Sequence, residues 1–320
     1  MDMINVQEHS RDHENLIRYI AYCLMVKLGL RKTVEWLMDE TQQMSYSASA
    51  GLSTKQIRQN CRGIQAELKF FCAESRRLFL VPTLDAGCQF DLVGTKGGKI
   101  KCYDVTTAIG IKRHANNRVY YGDCKWPVLV ADVKGQKVRF YESTSTGLST
   151  NPISSDTMKV DEKHVGKAGV KLDQQSVDFF KKRHAMFSRY SSHSMSLDKL
   201  VLEIRQCCPD DIGDMLCAHL YFYSTYKYAL NLVPTLSYGD AIDFVGQHNG
   251  ELERYHIAVK GARITSEDRQ YNTAYRYVDP ARIVYCDVGN RMFSFEHCDS
   301  PTFLGKESSL PNMTELNDRI

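Results

Sequence analysis

Apolar positions near the start of the chain recur at helical spacing. Leu16, Ile17, Ile20, Ala21, Leu24 and Met25 share one face, which predicts a helix over 14–30, with a second over 33–41. Small and polar residues from Ser45 to Ser53 interrupt the pattern. Ser53 is then suited to cap a long helix that carries Ile57, Ile64, Leu68 and Phe71 and runs to about Ser75. Beyond it the pattern turns strand-like, first near Leu78, then over 89–94 and 100–108, and again over 128–133 and 137–141. The segment KGGK, Lys96 to Lys99, separates two of these runs as a turn. A helix leading into a run of strands is the predicted order.

That order occurs twice. LVPTLDAGCQFDLVG, from Leu80 to Gly94, returns as LVPTLSYGDAIDFVG, from Leu232 to Gly246, with nine of fifteen positions identical at an offset of 152. A helix over 211–228 is predicted before the second copy, and an HNG turn, a strand to Lys260 and a closing hairpin after it. VLVADVKGQKVRFYE, from Val128, is echoed at an offset of 155 by IVYCDVGNRMFSFE, from Ile283, with Asp132-Val133 opposite Asp287-Val288. The chain therefore reads as a tandem duplication. The predicted organisation is an N-terminal helical extension over 1–52, a first copy over 53–145 and a Ser/Thr-rich, charged linker over 146–170. A second copy over 171–298 and a polar tail over 299–320 complete it. The fold class expected is α/β, two tandem domains that each hold a mixed central sheet flanked by helices.

Composition narrows the class of protein without choosing a partner. In 320 residues, 43% apolar and 25% charged positions are a globular mixture with room for two cores. A formal net charge of +3 does not make a uniformly basic coat for nucleic acid, although local patches remain open. The eleven cysteines are scattered, include the neighbours Cys207-Cys208, and offer no CxxC pair, so reduced thiols in a cytoplasmic setting are expected. The run IRYIAYCLMVKLGL is broken by Arg18 and Lys27, so neither an export signal nor a membrane span is expected.

Three acids of the first copy stand in an order that lets them converge. Glu67 is on the long helix, Asp91 ends an apolar run where a strand is expected to close, and Asp104 lies in the next strand. Alternation along that strand puts Asp104 and Thr106 on one face and Tyr103, Val105 and Thr107 on the other. Carboxylates from adjacent strands offer the oxygen ligands that Mg²⁺ requires, and an ion held there activates water and offsets charge on a phosphate being cleaved. Asp104 shares its face with Ile100 and Cys102, where a buried charge is costly without a metal or a partner.

Gly63 and Glu67 in GIQAELKFF, Asp91 in FDLVG and Asp104-Val105-Thr106 in YDVTTA together resemble the PD-(D/E)XK nuclease superfamily. The likeness is nearest to its Holliday-junction-resolvase and homing-endonuclease branch. In that group a helix bearing a glutamate precedes a strand ending in aspartate, and the next strand carries a (D/E)-x-K pair. The resemblance spans roughly 53–141 and, through the repeat, 211–295. It implies a restriction-endonuclease-like fold in both copies, Mg²⁺ or Mn²⁺ held by Asp91 and Asp104 with Glu67 assisting, and endonuclease action on duplex or branched DNA.

This chain departs from the pattern at the lysine. Thr106 occupies its position in the first copy. The second copy keeps Asp243 and places His256, Ala258 and Lys260 on one strand face. A gapless alignment sets His256 opposite Asp104; a two-residue insertion instead selects Ala258 and brings Lys260 to the lysine position. The offset of 155 in the later echo favours the insertion, and Glu67 is matched by His219. Basic residues Lys99, Lys101, Lys112, Arg113 and Arg118 flank the first site, with Lys181, Lys182 and Arg263 around the second, as a phosphate backbone requires. The expected partner is DNA, with a protein partner or a second copy of the chain as further possibilities. Two function classes stand open: an endonuclease working through the first copy, or a catalytically silent nuclease-like pair serving as a DNA- or protein-binding accessory.

Overall fold

The computed structural model describes residues 3–46, 54–84, 90–107, 126–144, 147–160, 173–236, 242–259 and 281–296. The chain divides into two compact units, Met1–Phe180 and Lys181–Ile320.

The first unit opens with three helices, α1 (Met3–Leu28), α2 (Leu30–Tyr46) and α3 (Thr54–Leu78). Gly29, at a φ of 89°, turns the chain between the first two, a conformation open to glycine at little cost. The sheet that follows has the order β1-β2-β3-β4-β5-β6, from β1 (Val81–Pro82), β2 (Leu92–Lys96), β3 (Lys99–Thr106), β4 (Val128–Lys134), β5 (Lys137–Thr144) and β6 (Gly147–Leu148). A seventh strand, β7 (Ser154–Thr157), pairs with β5. Neighbours are antiparallel except β3 and β4, which run parallel. A parallel step needs a long crossover, and residues 107–127 supply its length.

α3 packs on one face of this sheet. Phe70 meets Tyr103 and Phe140 with ring centroids 5.8 and 5.9 Å apart, and all three rings are buried. Gly94 lets the chain after α3 press against β2: a Cβ there would collide with the Leu78 carbonyl oxygen and stand 2.9 Å from Leu80 Cδ2.

The second unit repeats the plan. The helices α4 (Gln174–Ser191), within which the division falls, α5 (Leu197–Cys207) and α6 (Asp210–Tyr226) precede β8 (Val233–Pro234), β9 (Phe244–His248), β10 (Glu251–Val259), β11 (Arg282–Asp287) and β12 (Met292–Glu296). Strand order and directions repeat those of β1 to β5, including the one parallel step, β10 to β11. Phe222 meets Tyr255 and Phe295 as Phe70 meets Tyr103 and Phe140. Gly246 repeats the close approach, with a Cβ 2.8 Å from the Leu230 carbonyl oxygen.

Several elements differ from the expectations. Asp91 and Asp243 do not close strands; each stands one residue before the start of one, because Leu92-Val93 and Phe244-Val245 continue the buried run into β2 and β9. Within the stretch 146–170, Gly147–Leu148 and Ser154–Thr157 pair with β5. The helices α4 and α5 had no counterpart in the predicted elements.

The two-residue insertion is contradicted. Both hairpins close with two residues at positive φ, Gly97-Gly98 and Asn249-Gly250, as a type I′ turn requires, so β2–β3 and β9–β10 have identical loop lengths. Tyr103 pairs with Leu92 and Tyr255 with Phe244, both at the offset of 152. The echo at 155 is also displaced. Asp104 pairs with Val130 and His256 with Ile283, which puts Asp132 level with Tyr285 rather than with Asp287. A slip of two residues keeps every side chain on its face, so hydrophobic patterning cannot detect it.

Among the described residues no helix is long and apolar enough to cross a membrane. The described cysteines, including Cys207 and Cys208, are free thiols.

Gly94→Ala is expected to lower the unfolding free energy by about 1–3 kcal/mol through overpacking. Gly63→Ala, in open space on α3, should instead be neutral or stabilising by up to about 1 kcal/mol. Denaturant melts of both variants check the contrast, and equal effects would refute the close-approach role.

Candidate functional site

Asp91 stands just before β2, at the end of the sheet where β3 finishes: the β2–β3 ladder ends at Leu92 opposite Tyr103, and Asp91 is close enough to Asp104 for their charges to interact. Like charges brought together in this way repel. The Asp91 amide donates to the Tyr103 carbonyl at 2.9 Å, and Asp91 Oδ2 accepts the Val105 amide at 2.7 Å. Burial, then the charges of Glu67 and Asp104, push the Asp91 carboxyl well above its ordinary range, against the opposing pull of Arg18 and the Val105 amide.

Glu67 belongs to a different part of the cluster. It is buried, and its two oxygens take Arg18 Nε at 2.8 and 2.9 Å, while Oε1 also accepts Tyr22 Oη at 2.8 Å. The same guanidinium donates through its other nitrogens to the Thr83 carbonyl at 2.5 Å and the Asp91 carbonyl at 2.8 Å. Arg18 thus ties α1 to α3 and to the chain on either side of the β1–β2 turn. The segment expected as an extension supplies this residue, and the acid expected to assist catalysis is its counter-ion.

The second unit rebuilds the arrangement with different groups. Arg183 donates to the Thr235 and Asp243 carbonyls at 2.6 and 2.7 Å, as Arg18 does to Thr83 and Asp91. Its Nε donates to His219 Nδ1 at 2.9 Å, where the first unit has Glu67. Guanidinium nitrogens only donate, so His219 Nδ1 is an acceptor and the ring is the neutral Nε2–H tautomer, with Nε2 3.7 Å from Asp243 Oδ1. Burial, reinforced by Arg183 and His256, pushes the His219 pKa down to about 3 against the attraction of Asp243. Opposite Asp243 stands His256, whose Nδ1 lies 3.0 Å from Asp243 Oδ2; the same oxygen accepts the Ile257 amide at 2.8 Å. Burial opposes ionisation of Asp243, but the facing His219, the His256 hydrogen bond and the Arg183 charge outweigh it and hold this carboxyl far below the usual range.

One change of residue explains another. Tyr22, four positions after Arg18, donates to Glu67; Phe187, four positions after Arg183, has no hydroxyl, and its partner position holds a histidine. The arginines and these aromatic residues were missed as site residues. The shared Arg-x-x-x-aromatic spacing was the available signal, but unequal helix lengths move the second copy to an offset of 165, out of line with the rest of the repeat.

The other predicted residues scatter. Lys99 is exposed, and Lys101 is half-buried on the sheet face opposite Asp104. Lys181 and Lys182 lie on α4 beside Arg183. Lys112, Arg113, Arg118, Lys260 and Arg263 lie outside the described residues. By the observed register Ala258, and not Lys260, is level with Thr106.

Asp91 and Asp104 fit a hard divalent cation in donor chemistry: both are carboxylates, and the raised proton affinity of Asp91 marks negative charge that a cation relieves. Among the described residues no group of three His, Cys, Asp or Glu side chains is placed to hold an ion. Mg²⁺ is commonly bound through one or two carboxylates, with water completing its shell. Asp243 and His256 offer one oxygen already engaged twice and an imidazole, a poorer set for that ion.

No protein-family model matches the chain, and no curated protein or solved structure matches it.

Two outcomes are expected. Arg18→Met should destabilise the first unit by about 3–5 kcal/mol, since Glu67 would be left buried without its counter-ion. Both tryptophans, Trp36 and Trp126, lie in that unit, so their fluorescence during urea unfolding reads its stability. Because the folded state holds the Asp91 proton more tightly than the unfolded chain does, its ionisation costs stability once the pH rises above about 4. Asp91→Asn should therefore match the wild type below about pH 4 and exceed it at pH 7, and a variant no more stable at pH 7 would overturn the like-charge reading.

Proposed function

We propose that this chain is a tandem pair of restriction-endonuclease-like domains acting on DNA, with a Mg²⁺- or Mn²⁺-dependent endonuclease site in the first copy and a binding role for the second. The observation that carries the reading is the closeness of Asp91 and Asp104 at one end of the first sheet, where their like charges and that of Glu67 act on one another. The helix with Glu67, the start of β2 with Asp91 and β3 with Asp104 follow the order of the superfamily's motifs. A divalent cation bound to the two acids supplies a polarised water and neutralises charge on the phosphate. Asp91 and Asp104 would hold it, and Arg18 keeps Glu67 in place behind them. In the second copy the corresponding contact is a hydrogen bond between Asp243 and His256, so that copy is assigned to binding.

A second reading is favoured by a specific observation. Thr106 and Ala258 stand where the superfamily carries its lysine, so neither copy has a basic group there. This fits a silent nuclease-like pair acting as a DNA- or protein-binding accessory.

Incubation of the whole chain with supercoiled plasmid and with branched DNA, in Mg²⁺ or Mn²⁺, separates the two. The nuclease reading expects metal-dependent nicking that falls at least about 100-fold in Asp91→Ala and in Asp104→Ala, the scale of losing electrostatic stabilisation at the reacting phosphate. Asp243→Ala should cleave like the wild type if it folds, as checked by circular dichroism. DNA binding without cleavage in either metal establishes the DNA-binding accessory, and failure to bind DNA removes the nuclease and the DNA-binding accessory alike, leaving the protein-binding one.

A further inference from the structure

The two sheets are internal controls for one another, and they differ at the end where the first copy carries its acid pair. There β3 and β4 run parallel and finish together, and the β4–β5 hairpin turns through Gly135 and Gln136. Thr106, Asp132 and Arg139 form a row across β3, β4 and β5, on the same face as Asp104. The next pair of that hairpin on the same face is Lys134 with Lys137. Lys134, Lys137 and Arg139 are all exposed. Asp132 is fully buried and binds Arg139 through Oδ2, holding the guanidinium in one place with its side chain 44% exposed. β7 adds Ser155 and Thr157 to this face, both exposed, while Asp156 lies on the other face within reach of Arg77. On these strands the face beyond Asp104 is thus basic and hydroxyl-bearing, with one acid, and that acid is buried.

The corresponding places in the second sheet are Asp287 for Lys134, Met292 for Lys137 and Ser294 for Arg139. None is basic. The cationic hairpin and the pair of neighbouring carboxylates occur together in the first copy, and the second, with His256 in place of Asp104, has neither, which is the pattern expected if they serve one ligand.

We infer that the β4–β5 hairpin, through Lys134, Lys137 and Arg139, is a phosphate-backbone grip for the nucleic acid held at the first copy. The inference rests on the DNA reading above and adds a contact surface to it. From strand spacing and rise, Arg139 stands about 12 Å and Lys137 about 16 Å from Asp104 along the sheet. Each DNA strand carries one phosphate per about 3.4 Å of axis, so the grip falls several nucleotides from the bond beside Asp91 and Asp104. These residues therefore hold and orient the strand and do not replace the missing lysine.

Binding of the whole chain to a labelled 30-base-pair duplex, followed by fluorescence anisotropy over a range of salt concentrations, tests it. Each phosphate contact contributes about 0.9 to the slope of log affinity against log salt. Lys134→Gln/Lys137→Gln should flatten that slope by about 1.8. Lys27→Gln/Lys32→Gln, an equal charge change at exposed helical positions, should leave it unaltered. Arg139→Lys should retain the slope that Arg139→Gln loses, and thermal melts of each variant show that the fold is intact. If the wild type binds and Lys134→Gln/Lys137→Gln has the wild-type slope, or the control pair flattens it equally, the grip is wrong while the DNA reading stands. A wild type that binds no duplex at any salt overturns the DNA reading and the grip with it.

Discussion

A turn of two residues decides what faces what in each half of this protein. Gly97-Gly98 and Asn249-Gly250 supply the two positive φ values that a tight hairpin needs, and once the loop holds two residues the pairing on either side has no freedom to slide. Asp91 is then held near Asp104, and Asp243 against His256. Whether the strand end is a repelling pair of acids or an aspartate–histidine contact follows from two side chains, with the backbone the same in both units.

The buried arginines give that backbone its second constraint. Arg18 and Arg183 each place one planar fork across a helix, the chain before the turn and the chain after it, and donate to a carbonyl on either side, Thr83 and Asp91 or Thr235 and Asp243. Because the carbonyl contacts do not depend on the side chain opposite, the third partner is free to change from Glu67 to His219. That substitution alters the electrostatics of the neighbouring acid in opposite directions: Asp91 holds its proton more tightly than usual, Asp243 less. One scaffold therefore presents an anionic cluster in one copy and a near-neutral one in the other, without a change of fold.

Much of this was legible in the sequence. The repeat fixed the existence of two similar α/β units, because an interval of 152 residues preserved both the buried glycines and the acids at the strand starts. The KGGK and HNG segments announced tight turns, and the equal two-residue loops within them, Gly97-Gly98 and Asn249-Gly250, carry the gapless register; the later echo at 155 pointed the other way because β11 and β12 are joined by a longer loop. The role of α1 was hidden for a related reason. Arg18 and Arg183 lie in segments of unequal helix length, so no constant offset joins them. The third-helix Glu67 looked like a site acid, and only the position of Arg18 shows that its oxygens are engaged.

The sequence by itself determined the duplication, the helix-then-strand order and the positions of the charged residues, since these depend on local periodicity and turn chemistry. Only the tertiary structure decided which charges meet. Strand register, the parallel step from β3 to β4 and the reach of an arginine from a distant helix all set distances between residues far apart in the chain, and a slip of two residues leaves the alternation of faces intact while exchanging every partner.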